Sequence, residues 1–170
     1  MRVSTSRLLL TGPKRHETPR LAKLWQDGRV QRFLGGTLSK DGAEERVFQT
    51  LSHWEKHGFG LFSVYEKRTG VLAGMCGLDH FRNDVEVVYK FFSEFWGKGY
   101  ATEAAAASLE YGFIELELDK VVAVVRRENS ASRRVLEKLA LQHERDMTLW
   151  GAQQAFYGIS AERWKEQVSG

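Results

Sequence analysis

Residues Glu94–Phe113 read EFWGKGYATEAAAASLEYGF and set Gly97, Lys98, Gly99 and an aromatic directly before a run of alanines. Glycine is the most permissive backbone residue and alanine the best helix former. Their junction predicts a free-turning loop followed at once by a helix from Tyr100 to Glu115. The first turn of a helix leaves its N–H groups without partners, and the macrodipole favours a nearby anion by roughly 0.3 to 1 kcal/mol. Gly97 to Thr102 therefore reads as an anion cradle, in which the missing Cβ atoms let a phosphate approach the backbone. A glycine-bearing connection entering a core helix is the competing reading of the glycines and alanines alone.

Outward from the cradle, the chain alternates between two periodicities. Strands are expected at Leu8 to Thr11, Phe62 to Glu66, Val71 to Leu78 and Val85 to Phe92, the last three forming an antiparallel meander broken by the turn-like KRTG and HFRND. Helices are expected at Glu17 to Trp25 and at Gly42 to His57, where Val47, Phe48, Leu51 and Trp54 share a stripe. After the cradle helix come a strand from Lys120 to Val125, a helix from Ser130 to Leu139, strands at Gln142 to Thr148 and Ala155 to Ile159, and a final helix from Ala161 to Val168. The apolar VVAVV of Val121 to Val125 fits a strand covered on both faces. The pattern is α/β or α+β in a single domain spanning residues 1–170, with no repeat, linker or charge block to divide it.

A chain of 170 residues buries roughly 70% of its unfolded surface and needs no metal or disulfide to hold together. The excess of 25 Lys and Arg over 22 Asp and Glu is small and scattered, which argues against nucleic acid as a partner. Cys76 is the single cysteine and sits among apolar residues, so a buried thiol in a reducing compartment is expected. No apolar run approaches 18 residues, which leads us to expect a soluble, cytoplasmic protein without a membrane partner.

Several chemistries fail on spacing. In HWEKH, His53 and His57 stand one helical turn apart, but Trp54 occupies the position where a metalloprotease places Glu, so a helix-surface pair is expected and no metal. There is no G-x-S-x-G elbow. A phosphate-binding P-loop would need Ser or Thr after Lys98, where Gly99 stands, and glycine at position 92, which is Phe92. A dinucleotide fingerprint would need a third glycine where Thr102 stands.

The strand VEVVYKFF, the loop FWGKGYATEA and the later RRENSASRRVLEKLAL, taken in order, resemble the GNAT superfamily of acyl-coenzyme A N-acyltransferases, and more narrowly its Rim-type branch of ribosomal-protein N-terminal acetyltransferases. The resemblance runs from SRLLLTGP to FYGISAERW. It implies a mixed, mostly antiparallel sheet of about six to seven strands flanked by helices. Acetyl-CoA would be the cosubstrate, with a primary amine, either a protein N-terminus or a small molecule, as acceptor, and the chain a monomer or homodimer. The loop pattern of the family falls on Trp96, Gly97, Lys98, Gly99, Tyr100 and Ala101, implying pyrophosphate contacts from the backbone of Gly97 through Thr102. Tyr89, Lys90 and Phe91 are then implied to pair with the pantetheine arm through their main chain, and Asn129 to hold that arm.

Glu86 aligns with a strand glutamate that serves as general base in some relatives, and it interrupts an apolar alternation where a carboxylate needs a reason; an edge-strand surface carboxylate is the alternative. Asn129 and Ser132 meet the Asn-x-x-Ser pattern of Rim-type relatives, so Ser132 inherits the role of serving the leaving thiolate, with a helix-capping serine as the alternative. Two positions depart from the family. Leu136 stands where many relatives carry a tyrosine acid, and Lys138-Leu139-Ala140-Leu141 replaces Lys-Leu-Gly-Phe, leaving Tyr157 as a spare acid candidate. Those departures sustain a rival reading, a catalytically silent acetyl-CoA-sensing or partner-binding module. The acceptor pocket is implied between about Asp27 to Ser39 and Met147 to Gln154, segments holding Asp27, Arg29 and Arg32 but no acidic cluster. Glu103 reads as a dipole-favoured surface residue.

Overall fold

The computed structural model describes residues 1–170. The chain forms β1 (Arg2–Ser4), β2 (Leu8–Thr11), α1 (Thr18–Gln26), α2 (Lys40–His57), β3 (Leu61–Glu66), β4 (Leu72–Phe81), β5 (Asp84–Phe91), α3 (Tyr100–Ile114), β6 (Lys120–Arg126), α4 (Ser130–Lys138), β7 (Gln142–Leu149), β8 (Ala152–Ser160) and α5 (Ala161–Ser169). One sheet of eight strands runs in the order β1-β2-β3-β4-β5-β6-β8-β7. The strand beyond the expected six to seven is β1, three residues long, which pairs antiparallel with β2 and carries too short a pattern to be read from sequence. The β4–β5 turn is also tighter than expected, because β4 continues through His80 and Phe81.

All pairings are antiparallel except β5 with β6. A parallel pair needs a crossover, and α3 is that crossover. Leu72 through Leu78 of β4 are all buried, and since successive side chains point to opposite faces, both faces must be covered. Contacts of β4 with α1 and with α3 supply that cover. Helix α3 is apolar almost all round, as a helix enclosed between sheet and flanking elements must be. Cys76 lies in this core with its thiol beside the Ser108 hydroxyl, and burial pushes the thiol up to about 12.

Capping residues set the helix ends. Ser39 caps α2 by accepting from the Gly42 N–H at 3.1 Å, which starts the helix two residues before Gly42. The turn after α4 places Ala140 at φ +64°. This is the left-handed C-terminal turn that favours glycine, so alanine here retains the conformation at a cost. Ala140→Gly is expected to stabilise the fold by about 1 kcal/mol, the relief of left-handed strain less the added entropy of the unfolded chain. In a chain of this size that is a rise in melting temperature of about 2–4 °C, read by thermal denaturation.

Candidate active site

Glu86 and Val122 are the sole register pair between β5 and β6. Beyond it the strands part, and the backbone of β5 from Val87 onward has no ladder partner on the β6 side. A cavity of about 880 Å³ occupies the split, lined by Glu86 through Lys90 on one wall and by Val124, Val125, Arg126, Asn129 and Ser132 on the other. A β-edge inside a sheet, open and partly buried, is a ready template for an extended ligand. Two buried polar atoms on the cavity walls, Arg126 Nε and Gln31 Oε1, have no hydrogen-bond partner in the chain. Unpaired buried groups of this kind are costly unless something else pairs them.

The cradle lies past the end of β5. Gly97 and Gly99 have φ of +76° and +80°, the left-handed region for which a Cβ is a strain. Gly99 is the N-terminal cap of α3 and no side chain caps the helix. The N–H groups of Gly97, Lys98, Gly99, Tyr100, Ala101 and Thr102 donate to nothing in the chain, the first intrahelical bond being Glu103 N–H to Gly99 carbonyl at 3.1 Å. Side chains hold the loop from behind. The Tyr100 hydroxyl donates to the buried Glu66 carboxylate, which also lies 3.6 Å from Lys98 Nζ, and Tyr100 and Thr69 hold that carboxyl below its ordinary range. Glu103 is not the free surface residue expected. It accepts from the Thr5 hydroxyl at 2.6 Å and from the Arg7 N–H and Nε at 2.8 and 2.7 Å, while Arg7 Nη1 donates to the Lys98 carbonyl at 2.7 Å. The β1–β2 turn is thus strapped to the cradle. Trp96 donates its indole N–H to the Phe91 carbonyl at 2.9 Å, fixing the turn from β5 into the loop.

Burial pushes the Glu86 carboxyl up to about 8; Asp79, its register partner on β4, raises it further and Lys90 works against the rise. Burial takes Lys90 down to about 7, with Arg46 lowering it and Glu86 and Asp79 opposing. The Lys90 ammonium nitrogen stands 4.1 Å from the centre of the Trp25 ring. A carboxyl with such a pKa exchanges its proton near neutrality, as a general base must.

Asn129 caps α4 by accepting from the Ser132 N–H at 3.1 Å. Ser132 therefore is not the capping side chain, and its hydroxyl meets the Tyr89 hydroxyl at 2.7 Å; the single Tyr89 proton has the Ser132 carbonyl at 3.1 Å as its other acceptor, and when it goes to the Ser132 hydroxyl the serine proton is left for a ligand. Tyr89 was expected to act through its main chain; its side chain joins the site too. Burial raises the Tyr89 phenol, which the Ser132 hydrogen bond partly offsets. Tyr157 is not brought to the cavity. It is 1% exposed and its hydroxyl is engaged by Arg133 Nε at 3.0 Å and Glu137 at 3.4 Å. Leu136 is fully buried core.

The rest of the cavity wall comes from Gln31, Phe33, Leu34 and Leu38 of the loop after α1, and from Trp150, Ala152 and Gln154 of the β7–β8 hairpin, within the two segments named from sequence. Asp27 and Arg29 are not on it; they pair with each other at 3.4 Å and line a separate groove. Sequence reading missed Arg46, Gln49, Thr50 and His53 of α2 and Asp79 of β4, which also face the cavity.

The profile of the acetyltransferase (GNAT) domain matches residues 7–142. The chain belongs to the GNAT acetyltransferase family. It is 33% identical over 138 residues to the uncharacterized protein YkkB of Bacillus subtilis, covering 79% of this chain and 80% of that one. It is 30% identical over 145 residues to the uncharacterized N-acetyltransferase p20 of Bacillus licheniformis, covering 82% of each. Among solved structures, a GNAT-family acetyltransferase of Bacillus anthracis superposes with a TM-score of 0.84 at 24% identity, over 95% of this chain and 99% of that one. The ribosomal-protein-S5-alanine acetyltransferase of Vibrio fischeri superposes with a TM-score of 0.77 at 19% identity, over 96% and 98%. These likenesses carry the fold. No helix is long and apolar enough to cross a membrane.

GNAT acetyltransferases use acetyl-CoA, and the residues present fit it: six consecutive free N–H groups for a pyrophosphate, and an open strand edge beside them for an extended arm. Gly99→Val is expected to abolish acetyl-CoA binding, measured by calorimetry on protein whose circular dichroism is unchanged. Equal affinity in the two proteins, or a requirement for Mg²⁺, would overturn the cradle.

Proposed function

We propose that the protein transfers the acetyl group of acetyl-CoA to a primary amine, a protein N-terminus as in the Rim-type branch or a small monoamine, by direct attack. The observation that carries this reading is the position of Glu86: it sits where β5 and β6 part, in the cavity, with its carboxyl raised to about 8. The N-acetyltransferase name of the Bacillus licheniformis relative supports the same class.

In this reading the backbone of Gly97 through Thr102 holds the pyrophosphate, and Tyr89, Lys90, Phe91 and Asn129 align the pantetheine arm in the split. Bound acetyl-CoA supplies an activated acetyl thioester. Glu86 accepts the proton of the incoming ammonium, through water, and Ser132, hydrogen-bonded to Tyr89, donates to the departing sulfur. The demand on the base depends on the amine. A lysine-like amine of pKa about 10.4 is neutral about one time in 10³ at pH 7, whereas an α-amine near 8 is neutral about one time in ten.

The acceptor cavity carries Arg46, Lys90 and Arg126 against Asp79 and Glu86. That balance does not favour a polycation. Spermidine and aminoglycosides are expected to turn over weakly or not at all relative to peptides and small monoamines in a thiol-release panel. Efficient acetylation of a polycation would refute this acceptor assignment, and acetyl-CoA binding without thiol release for any amine of the panel would favour the silent-module reading.

Glu86→Gln is expected to lower turnover of a high-pKa amine by roughly 10²-fold or more, and of an α-amine by less, with coenzyme affinity unchanged. Because the carboxyl is raised, it is protonated below about pH 8 and becomes a base as pH climbs through that value. Wild-type rate should therefore rise through pH 8, and the variant should lose that limb while recovering at higher pH, where hydroxide takes the proton. Wild-type rates in Glu86→Gln near pH 7 would make the carboxylate structural.

A further inference from the structure

His53 and His57, expected to be no more than a surface pair, are joined by His80 from the end of β4. The three side chains present nitrogen atoms that all lie within 4.8 Å of one another, with ring centres 4.5 to 5.0 Å apart. His53 Nδ1 lies 2.8 Å from the Phe59 carbonyl, which can only accept, so Nδ1 carries the hydrogen. Its Nε2 then points into the cluster, 2.8 Å from His80 Nδ1 and 3.1 Å from an Asp79 carboxylate oxygen. A ring nitrogen held by a backbone carbonyl, with the opposite nitrogen turned to shared space, is how metal-binding imidazoles are oriented. The Phe59 ring packs edge-on against His53 and closes the apolar side.

We infer that His53, His57 and His80 form a binding site for one divalent transition-metal ion of the Zn²⁺ class, with Asp79 or water completing the coordination. His53 and His57 present two ligands from one helix face, four residues apart, and His80 adds a third from the sheet. Zn–N bonds of about 2.0–2.1 Å in a tetrahedron set ligand nitrogens about 3.3 Å apart, so side-chain rotations of about an ångström bring these three to bonding distance. Imidazole donors select Zn²⁺, Ni²⁺ or Co²⁺ over Mg²⁺ and Ca²⁺. The ion clips the last turn of α2 to β4. Since His53 and Asp79 also line the cavity, the clip braces the wall beside Glu86. The site is distinct from the coenzyme cradle, whose ligation does not call on it.

The test uses the full chain without a histidine tag, freed of metal by chelator and titrated with Zn²⁺ by calorimetry, and with Co²⁺ for the visible bands of a low-symmetry four-coordinate ion. One Zn²⁺ per chain is expected, with a rise in melting temperature. His57 and His80 are exposed, so His57→Gln and His80→Asn should fold, confirmed by unchanged acetyl-CoA affinity. Each should weaken Zn²⁺ binding at least 10²-fold, since even partners that only orient a ligand are worth about 10–100-fold. His143→Gln, a histidine bonded to Asp146 elsewhere, should change nothing. No stoichiometric Zn²⁺ binding by the wild type, or wild-type Zn²⁺ affinity in the folded His57→Gln and His80→Asn variants, would overturn the site and leave only a hydrogen-bonded imidazole cluster.

Discussion

The sheet is joined across its middle by one residue pair, Glu86 opposite Val122, and the rest of the site depends on that economy. A parallel pairing forces a crossover, and here the crossover is the alanine-rich α3. The loop into α3 must therefore lie at the carboxyl end of β5, the end of a parallel strand at which α/β folds collect ligands. Because β5 and β6 part after Glu86, the same stretch also leaves a backbone edge open inside the sheet. Loop and edge are adjacent for a topological reason. A chain that zipped β5 to β6 along their length would keep the cradle and lose the slot beside it.

Opening a sheet leaves unpaired backbone and lowers local stability, so something must hold the two halves in place. On the cradle side the strap is ionic: Glu103 binds Thr5 and Arg7, and Arg7 binds the Lys98 carbonyl. On the far side it is the hydroxyl bridge from Tyr89 of β5 to Ser132 of α4, across the slot. The first strap fixes the loop of Gly97 to Gly99 at the start of α3. The second spans the slot, and so couples its width to the placement of the Tyr89 and Ser132 hydroxyls.

Local chemistry made much of this legible. The glycines at 97 and 99, the alanine run and the meander of β3 to β5 encode their structure over a few neighbouring residues, and the loop-to-helix junction reads directly from them, whereas the Ser39 cap went unread and the start of α2 was placed two residues late. The interrupted alternation flagged Glu86 and the family likeness suggested a role for it, while Ser132 came from the likeness alone. What else escaped was long-range. Glu103 sits in a helical first turn like many surface carboxylates, and only the approach of residues 5 and 7 makes it a strap. His80 lies 27 positions from His53, and the register of β4 alone brings them together. The wall residues of α2 were missed because an amphipathic pattern reports which face is apolar, not what the polar face overlooks.

The departures from the family look different once the backbone is considered. Ala140 keeps the left-handed turn in which relatives place glycine, and its carbonyl accepts from Arg163 at 3.0 Å, so the turn survives the loss of the residue that makes it easy. Leu136 is sealed in the core, where a tyrosine hydroxyl would need a partner. The polar side chains of α4 that face the slot lie one turn nearer its start. Asn129 spends its side-chain oxygen on the Ser132 N–H, which relieves Ser132 of capping and leaves its hydroxyl free to face Tyr89 and the slot. Had Ser132 been the cap, its hydroxyl would have been consumed by the helix. The asparagine three residues earlier is what makes the serine chemically available.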